Sequence, residues 1–239
     1  MKALSSATGA GAAFLEFVRL VVAGDIDDVA RRLASRPALA TASLDVGARR
    51  QEASMFFLAD IAHYVYVGDT ALHMAAAAFR RSVAERLIAK GADCRAKNRQ
   101  GAEPLHYAAD ANHWNPTAQA GMIEYLTSVG ADPNALDSSG VAPLHRAVRT
   151  RSLSAVRALV EAGANPTQPT KAGSTPLHLA VQNTGRGGSG SQQSRQQQAG
   201  IVRLLLERGA RPTDQDRRGK QVCQAATSDW IRTLLAKPV

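Results

Sequence analysis

The chain has 239 residues, of which 45% are hydrophobic and 21% charged, a composition typical of a folded protein and unlike a disordered or membrane-embedded chain. Its 29 Lys and Arg outnumber 20 Asp and Glu, and the formal net charge of +9 favours acidic or other anionic partners. The two cysteines, Cys94 and Cys223, show no spacing typical of a disulfide framework or a zinc site. We therefore expect a reducing cytoplasmic environment, with no metal and no cofactor.

The N-terminal segment "FLEFVRLVVAGDIDDVARRLASRPALA" is predicted to form two amphipathic helices around Gly24. Glu16 and Arg19 interrupt its apolar run, which argues against a signal peptide, and no other segment approaches a membrane span. We expect a degenerate helical pair over residues 1–43. Residues 44–67, which end in "SMFFLADIAHYVYV", are expected to be an inserted helix or loop that serves packing or capping, in preference to a ligand pocket.

Four similar segments follow, and each opens with a glycine. They are "GDTALHMAA" from Gly68, "GAEPLHYAA" from Gly101, "GVAPLHRAV" from Gly140 and "GSTPLHLAV" from Gly173. Each precedes a second apolar run that ends near a glycine, which predicts a repeating helix, turn, helix and loop. Successive leading glycines are 33, 39, 33 and 46 residues apart, the last distance running to Gly219.

The 33-residue period and the T-P-L-H-x-A signature resemble ankyrin repeats. The resemblance implies an all-α solenoid of stacked helix-turn-helix repeats with short β-hairpin tips, built as a single domain over residues 1–239. We expect repeats at 68–100, 101–139, 140–172 and 173–218, and a C-terminal cap repeat at 219–239. The signature histidines are interpreted as structural groups that tie one repeat to the next, not as metal ligands: His73, His106, His145 and His178.

Two repeats are longer than the period. The fourth has 13 extra residues, in "TGRGGSGSQQSRQQQ" between its helices. A Walker-type phosphate loop follows a strand and leads into Lys-Ser or Lys-Thr at a helix start. Here a helix precedes the glycines and no such lysine follows, so a flexible spacer is favoured over an anion site formed by Arg186 and the glycine amides. The alternative for the last residues of the segment is that they extend the second helix, which leads to Ile201.

The second repeat has six extra residues around "DANHWNPTAQAG", and both insertions are expected at the same edge of the stack. Trp114 is expected to fold over a helix pair, in preference to serving as an exposed binding anchor. Four residues define a candidate secondary site on these edge loops: His113, Trp114, Arg151 and Arg186.

The family resemblance further implies that a partner binds the concave side, formed by the hairpin tips and first helices. The variable positions there are the expected partner-binding residues: Tyr66, Asp69, Met74, Arg99, Tyr107, Asp110, Ser139, Arg146, Arg149, Lys171, Gln182 and Asn183. The mixture of aromatic, apolar and oppositely charged residues is more typical of a protein-binding face than of a phosphate-tracking stripe. Asp110 and Arg149 occupy equivalent places in adjacent repeats and are expected to pair.

We therefore expect a non-enzymatic protein–protein interaction scaffold, a monomer and a stand-alone bacterial cytoplasmic protein, with a protein partner of acidic or mixed surface and no membrane association. The alternative is binding of nucleic acid or another polyanion through basic tips such as "DRRGK". A remote alternative is an enzyme that uses the edge loops. No catalytic residue is assigned, since the sequence contains no HExxH, GxSxG or comparable motif.

Overall fold

The computed structural model describes residues 9–48, 53–110, 115–183 and 190–236. Those residues contain twelve α-helices: α1 Gly9–Ala23, α2 Ile26–Ser35, α3 Ala71–Ala77, α4 Arg81–Ala89, α5 Pro104–Ala109, α6 Pro116–Ser128, α7 Pro143–Arg149, α8 Leu153–Glu161, α9 Pro176–Ala180, α10 Gln192–Glu207, α11 Val222–Ala225 and α12 Asp229–Leu235. None of these helices is both long and apolar enough to cross a membrane. The chain packs as two compact units, residues 1–108 with 112–131 (unit 1) and residues 109–111 with 132–239 (unit 2).

The first helix of every repeat begins with the same backbone-to-side-chain bond. The residue before the helix donates its N–H to a side chain three positions later, over 2.9 to 3.2 Å. The acceptor is a histidine Nδ1 in four repeats, and Gln224 Oε1 in the last one. This is the reciprocal half of a capping box, which satisfies a backbone donor that a helix start leaves free. It gives a physical reason for the histidine of the repeat signature.

In unit 1, α1 and α2 flank Gly24, whose φ of +83° lies in the region that favours glycine. The described part of residues 44–67 holds no α-helix. Instead, short 3₁₀ turns at Ala53–Phe56 and Ala59–Ile61 surround a hairpin of β1 (Phe57–Leu58) and β2 (His63–Tyr64). Four apolar side chains of this segment are buried and belong to the core of unit 1: Phe56, Leu58, Ile61 and Val65.

In unit 2, α7 packs against α8 and α9, and α10 packs against α8, α9 and α12. The hairpin tips at 137–140, 170–173 and 216–219 are joined by main-chain hydrogen bonds, from Lys171 N to Ser139 O (3.1 Å) and from Arg217 N to Ala172 O (3.4 Å). Gly173 has a φ of +82°, and a Cβ there would meet Arg217 N at 2.3 Å. Only glycine therefore permits this close approach of two tips.

The long repeats accommodate their extra residues partly by lengthening the second helix. Helix α6 has 13 residues and α10 has 16, against nine in α4 and in α8. The expected extension of the second helix into the end of this segment is confirmed and reaches further back than its last residues, since α10 begins at Gln192, behind Ser191, whose Oγ accepts from Ser194 N at 3.1 Å. The spacer interpretation is therefore wrong from Gln192 onward. The preceding residues 184–189 lie outside the described residues.

Candidate binding surface

Three of the predicted binding residues of unit 1 lie in its interior. The Asp69 side chain is fully buried; its Oδ1 accepts from Tyr107 Oη (2.7 Å) and Asn98 Nδ2 (2.9 Å), and its Oδ2 accepts from Tyr66 N (2.7 Å). Met74 is also fully buried, and Tyr107 is only 3% exposed. Met74 and Tyr107, expected on first helices, and Asp69, expected at the first tip, are therefore not accessible to a partner.

The inserted segment, residues 44–67, contributes to the burial of Tyr107. The His63 ring packs edge-on against Tyr107, with ring centroids 5.0 Å apart, and also lies 6.2 Å from the Tyr66 ring. The Ala59–Ile61 turn of the same segment contacts α1. A part of the chain that does not belong to the repeats thus lies over the first helix of the second repeat. Of the predicted residues in unit 1, Tyr66 is half-buried and Arg99 is exposed.

In unit 2, most of the predicted binding residues are accessible. The Arg149 side chain is 61% exposed. The set divides into an exposed group of Ser139, Arg149, Lys171, Gln182 and Asn183 and a half-buried pair of Asp110 and Arg146.

A chain of charged groups links the residues of this surface. Arg149 Nη2 donates to Asp110 Oδ1 (3.0 Å) and Oδ2 (2.9 Å), which confirms the predicted pair. Arg146 lies between two carboxylates, with Nη1 3.6 Å from Asp110 Oδ2 and Nη2 3.1 Å from Asp137 Oδ2. Asp137 was not predicted as part of this surface. The signal for it was its position at the start of a hairpin tip, where an Asp side chain accepts from backbone N–H groups two and four residues on.

The charge of Asp137 is stabilised by its surroundings. Burial by itself would raise the pKa of this carboxyl, but the N–H groups of Val141 and Ser139 and the Arg146 guanidinium outweigh burial, and the pKa lies below its ordinary value. Asp137 therefore stays ionised and holds Arg146 in place. Side chains fixed in this way lose little conformational entropy when a partner binds.

Of the predicted edge-loop site, only Arg151 lies in the described part of the chain; His113, Trp114 and Arg186 are outside the described residues. Arg151 has a positive φ of 58°, and its Nη2 donates to Gln182 O at 2.9 Å. Burial lowers the pKa of its guanidinium. The half-buried Arg151 thus binds the backbone that follows α9, and it is less accessible than Arg149.

In His73 and His178, the second ring nitrogen of the signature histidine links one repeat to the next. His73 Nε2 lies 3.0 Å from Ala102 O, and His178 Nε2 lies 3.2 Å from Lys220 O. The predicted tie from one repeat to the next is confirmed for these two. His145 Nε2 has no partner at good hydrogen-bond geometry, although backbone groups of Gln168 and Ser174 lie close enough to oppose the effect of burial on its pKa. Among the residues that the structure describes, no three His, Cys, Asp or Glu side chains are grouped to hold a metal ion.

Family comparisons agree with this architecture. The family model described as ankyrin repeats (3 copies) matches residues 115–216, and the one described as ankyrin repeats (many copies) matches residues 72–127. Together the matches run from residue 72 to residue 216, more than half of the chain. The chain belongs to the ankyrin-repeat family, and the predicted fold class is confirmed. Ankyrin repeats generally mediate protein–protein interactions and are typically non-enzymatic. No curated protein matches the sequence.

Proposed function

We propose that this chain is a non-enzymatic protein-interaction scaffold whose partner binds the concave face of unit 2, on the first helices α7 and α9 and the adjoining hairpin tips. The observation that carries the proposal is the accessible charged surface around Arg149, held by Asp110 and extended by Arg146. Partly exposed arginines that are already oriented are the kind of side chain that dominates many protein interfaces. Unit 1 offers no equivalent surface at Tyr107, which the inserted segment covers.

Two other functions are less well supported. Single-stranded nucleic acid is bound by aromatic side chains that stack on bases, and residues 132–239 contain one aromatic Phe, Trp or Tyr, which is Trp230. An enzyme would need an available acid, base or nucleophile. The carboxylates of Asp110 and Asp137 on the proposed surface are both paired with arginines.

The proposal includes the cellular setting. Cys94 and Cys223 are both free thiols, which agrees with a reducing compartment, and we place the protein in the cytoplasm as a monomer. The high use of alanine and arginine supports a bacterial origin.

The test begins with affinity capture of partners by the tagged full chain from a lysate of the native host, followed by mass spectrometry. The affinity of the captured protein is then measured for Arg149→Glu and for Arg157→Glu, a matched control at an exposed position of α8. Arg149→Glu places a second carboxylate beside Asp110, and we expect it to weaken binding at least about tenfold, or about 1.4 kcal/mol. Equal affinities for the two variants would place the partner elsewhere on the molecule.

A further inference from the structure

The positive charge of the chain is concentrated in unit 2. Residues 109–111 and 132–239 hold 15 Lys and Arg against 8 Asp and Glu, whereas the rest of the chain holds 14 against 12. Unit 2 therefore accounts for a net charge of +7 out of the total of +9. A charge excess of this size attracts anionic groups over a distance of about one Debye length, roughly 10 Å at moderate salt.

Four of these cations lie together on two neighbouring hairpin tips of unit 2, and we call them the basic ridge: Lys171, Arg217, Arg218 and Lys220. All four are exposed. The backbone bond from Arg217 N to Ala172 O joins the two tips directly, and the Arg217 side chain reaches within 3.0 Å of the Cβ position of Gly173. The cations are thus neighbours in space as well as in sequence.

The carboxylates nearest to the basic ridge are hydrogen-bonded to groups other than the ridge side chains. Asp216 Oδ1 is turned into its own tip, where it accepts from Arg218 N (2.8 Å) and Lys220 N (3.0 Å). Asp137, on the next tip, is paired with Arg146. The Lys171 ammonium donates to the carbonyl oxygen of Ser138 at 2.7 Å, which fixes its position and leaves its charge uncompensated. The four cations and the Asp216 carboxylate, which offsets part of the charge of Arg218, leave the two tips with a net charge of +3 (four minus one).

We propose that the basic ridge binds an acidic segment of the protein partner, an extended stretch carrying several Asp or Glu side chains. This inference rests on the function proposed above and adds the chemistry of the partner. The two ridge arginines can each receive a carboxylate with two parallel hydrogen bonds. The third tip, 137–140, contributes only Ser138 and Ser139 beyond its paired aspartate, so the row of cations ends after two tips. A row this short suits a few carboxylates better than a long phosphate backbone.

The probe is a fluorescein-labelled deca-glutamate peptide, titrated with the full chain at low salt and followed by fluorescence anisotropy. The ridge variant is Lys171→Gln/Arg217→Gln/Arg218→Gln. The control variant is Arg157→Gln/Arg203→Gln/Arg208→Gln, which removes three positive charges from exposed positions on or beside the second helices α8 and α10. Both variants have the same net charge, so a difference between them reports the location of the cations. Circular dichroism checks that both are folded, and short single-stranded and duplex DNA are titrated in parallel.

We expect the wild-type chain to bind the peptide, the ridge variant to bind it at least about tenfold more weakly, and the control variant to change by less than about twofold. Equal weakening in both variants would show that net charge, and not the ridge, attracts the peptide. If the wild-type chain binds DNA more tightly than the peptide, and the ridge variant loses that DNA binding, the ligand of the ridge is nucleic acid and the acidic-segment proposal is wrong. Absence of peptide binding by the wild-type chain at low salt would overturn the inference outright.

The two proposals fail in different measurements. A captured partner whose affinity depends on Arg149 but not on the ridge triple sustains the scaffold and overturns the acidic segment. The ridge could also bind deca-glutamate while neither Arg149→Glu nor the ridge triple changes the affinity of the captured partner. The peptide site would then not be the partner site, and this result would overturn both the proposed face and the proposed partner chemistry.

Discussion

The histidine of the repeat signature can use both nitrogens of its ring for structural hydrogen bonds. Its Nδ1 accepts from the residue that starts the helix, and in His73 and His178 its Nε2 reaches the backbone of the following repeat. In the final repeat, Gln224 makes the bond at the helix start instead, since its Oε1 accepts from Gln221 N at 2.9 Å. A glutamine can therefore replace the histidine as the local cap.

His145→Gln should make the stability of the protein less dependent on pH. Burial lowers the pKa of His145 in the folded chain, so the unfolded chain takes up a proton more readily as the pH falls below about 6.5. The free energy of unfolding of the wild-type chain should then decrease between about pH 7.5 and 5.5 by this route. The glutamine variant keeps the bond from Ala142 N and loses that contribution. Urea denaturation followed by circular dichroism at each pH measures the slopes.

His145→Ala serves as the comparison. It leaves the buried Ala142 N–H without its acceptor, and we expect it to cost about 1 to 3 kcal/mol at neutral pH. Parallel pH profiles for the wild-type chain and the glutamine variant would show that His145 is not the residue that titrates.

The helices show where sequence patterns were sufficient and where they were not. The glycine and serine residues before Gln192 favour a spacer, with only the last glutamines as an extension of the helix, yet glutamine is a good helix former and Ser191 is a good N-cap. That signal was available in the sequence. The position of the inserted segment could not be predicted from the sequence, because it depends on tertiary contacts such as that of His63 with Tyr107, which are 44 positions apart.

Each lengthened second helix is anchored by one buried glutamine. Gln119 Nε2 donates to Ala108 O at 2.9 Å in unit 1, and Gln198 Nε2 donates to Ala180 O and Gln182 O, both at 2.7 Å, in unit 2. The two side chains are 2% and 1% exposed. Both satisfy carbonyl groups at the end of a first helix, which have no partner within that helix. The same solution occurs in the two repeats that carry insertions.

Gln198→Ala should therefore lower the free energy of unfolding by about 1 to 3 kcal/mol, because the Ala180 carbonyl oxygen loses its Gln198 donor, while Gln182 O keeps the bond from Arg151 Nη2. The matched control is Gln196→Ala, an exposed position of the same helix, which should stay within about 0.5 kcal/mol of the wild-type chain. Thermal or urea denaturation compares the two. A similar small effect for both substitutions would mean that water replaces the Gln198 side chain at no cost.

For the molecule as a whole, the sequence predicted the fold better than the binding face. The repeat period and the helix caps are local features, so they could be found without knowing the packing. The binding-face prediction assumed that equivalent positions of all repeats are equally exposed. Met74, Tyr107 and Arg146 each lie six residues after the leading glycine of their repeat, yet the first two are buried in unit 1 and Arg146 is half-buried in unit 2. For Tyr107, a contact with His63 of the inserted segment contributes to this difference, and the repeat pattern alone does not predict that contact.

Stability and partner binding should consequently respond to different substitutions. Tyr107→Phe keeps the ring against His63 and His73 but removes the hydroxyl that donates to the buried Asp69 carboxylate, and we expect a loss of about 1 to 3 kcal/mol in the free energy of unfolding with partner affinity unchanged. Arg149→Glu should weaken partner binding and leave the free energy of unfolding nearly unchanged. The Arg149 side chain is largely exposed, and its carboxylate partner, Asp110, is also held by Arg146. Calorimetry and a binding titration on both variants separate the two effects. A loss of affinity with Tyr107→Phe at a temperature where the variant is fully folded would mean that the partner reaches unit 1 despite the inserted segment.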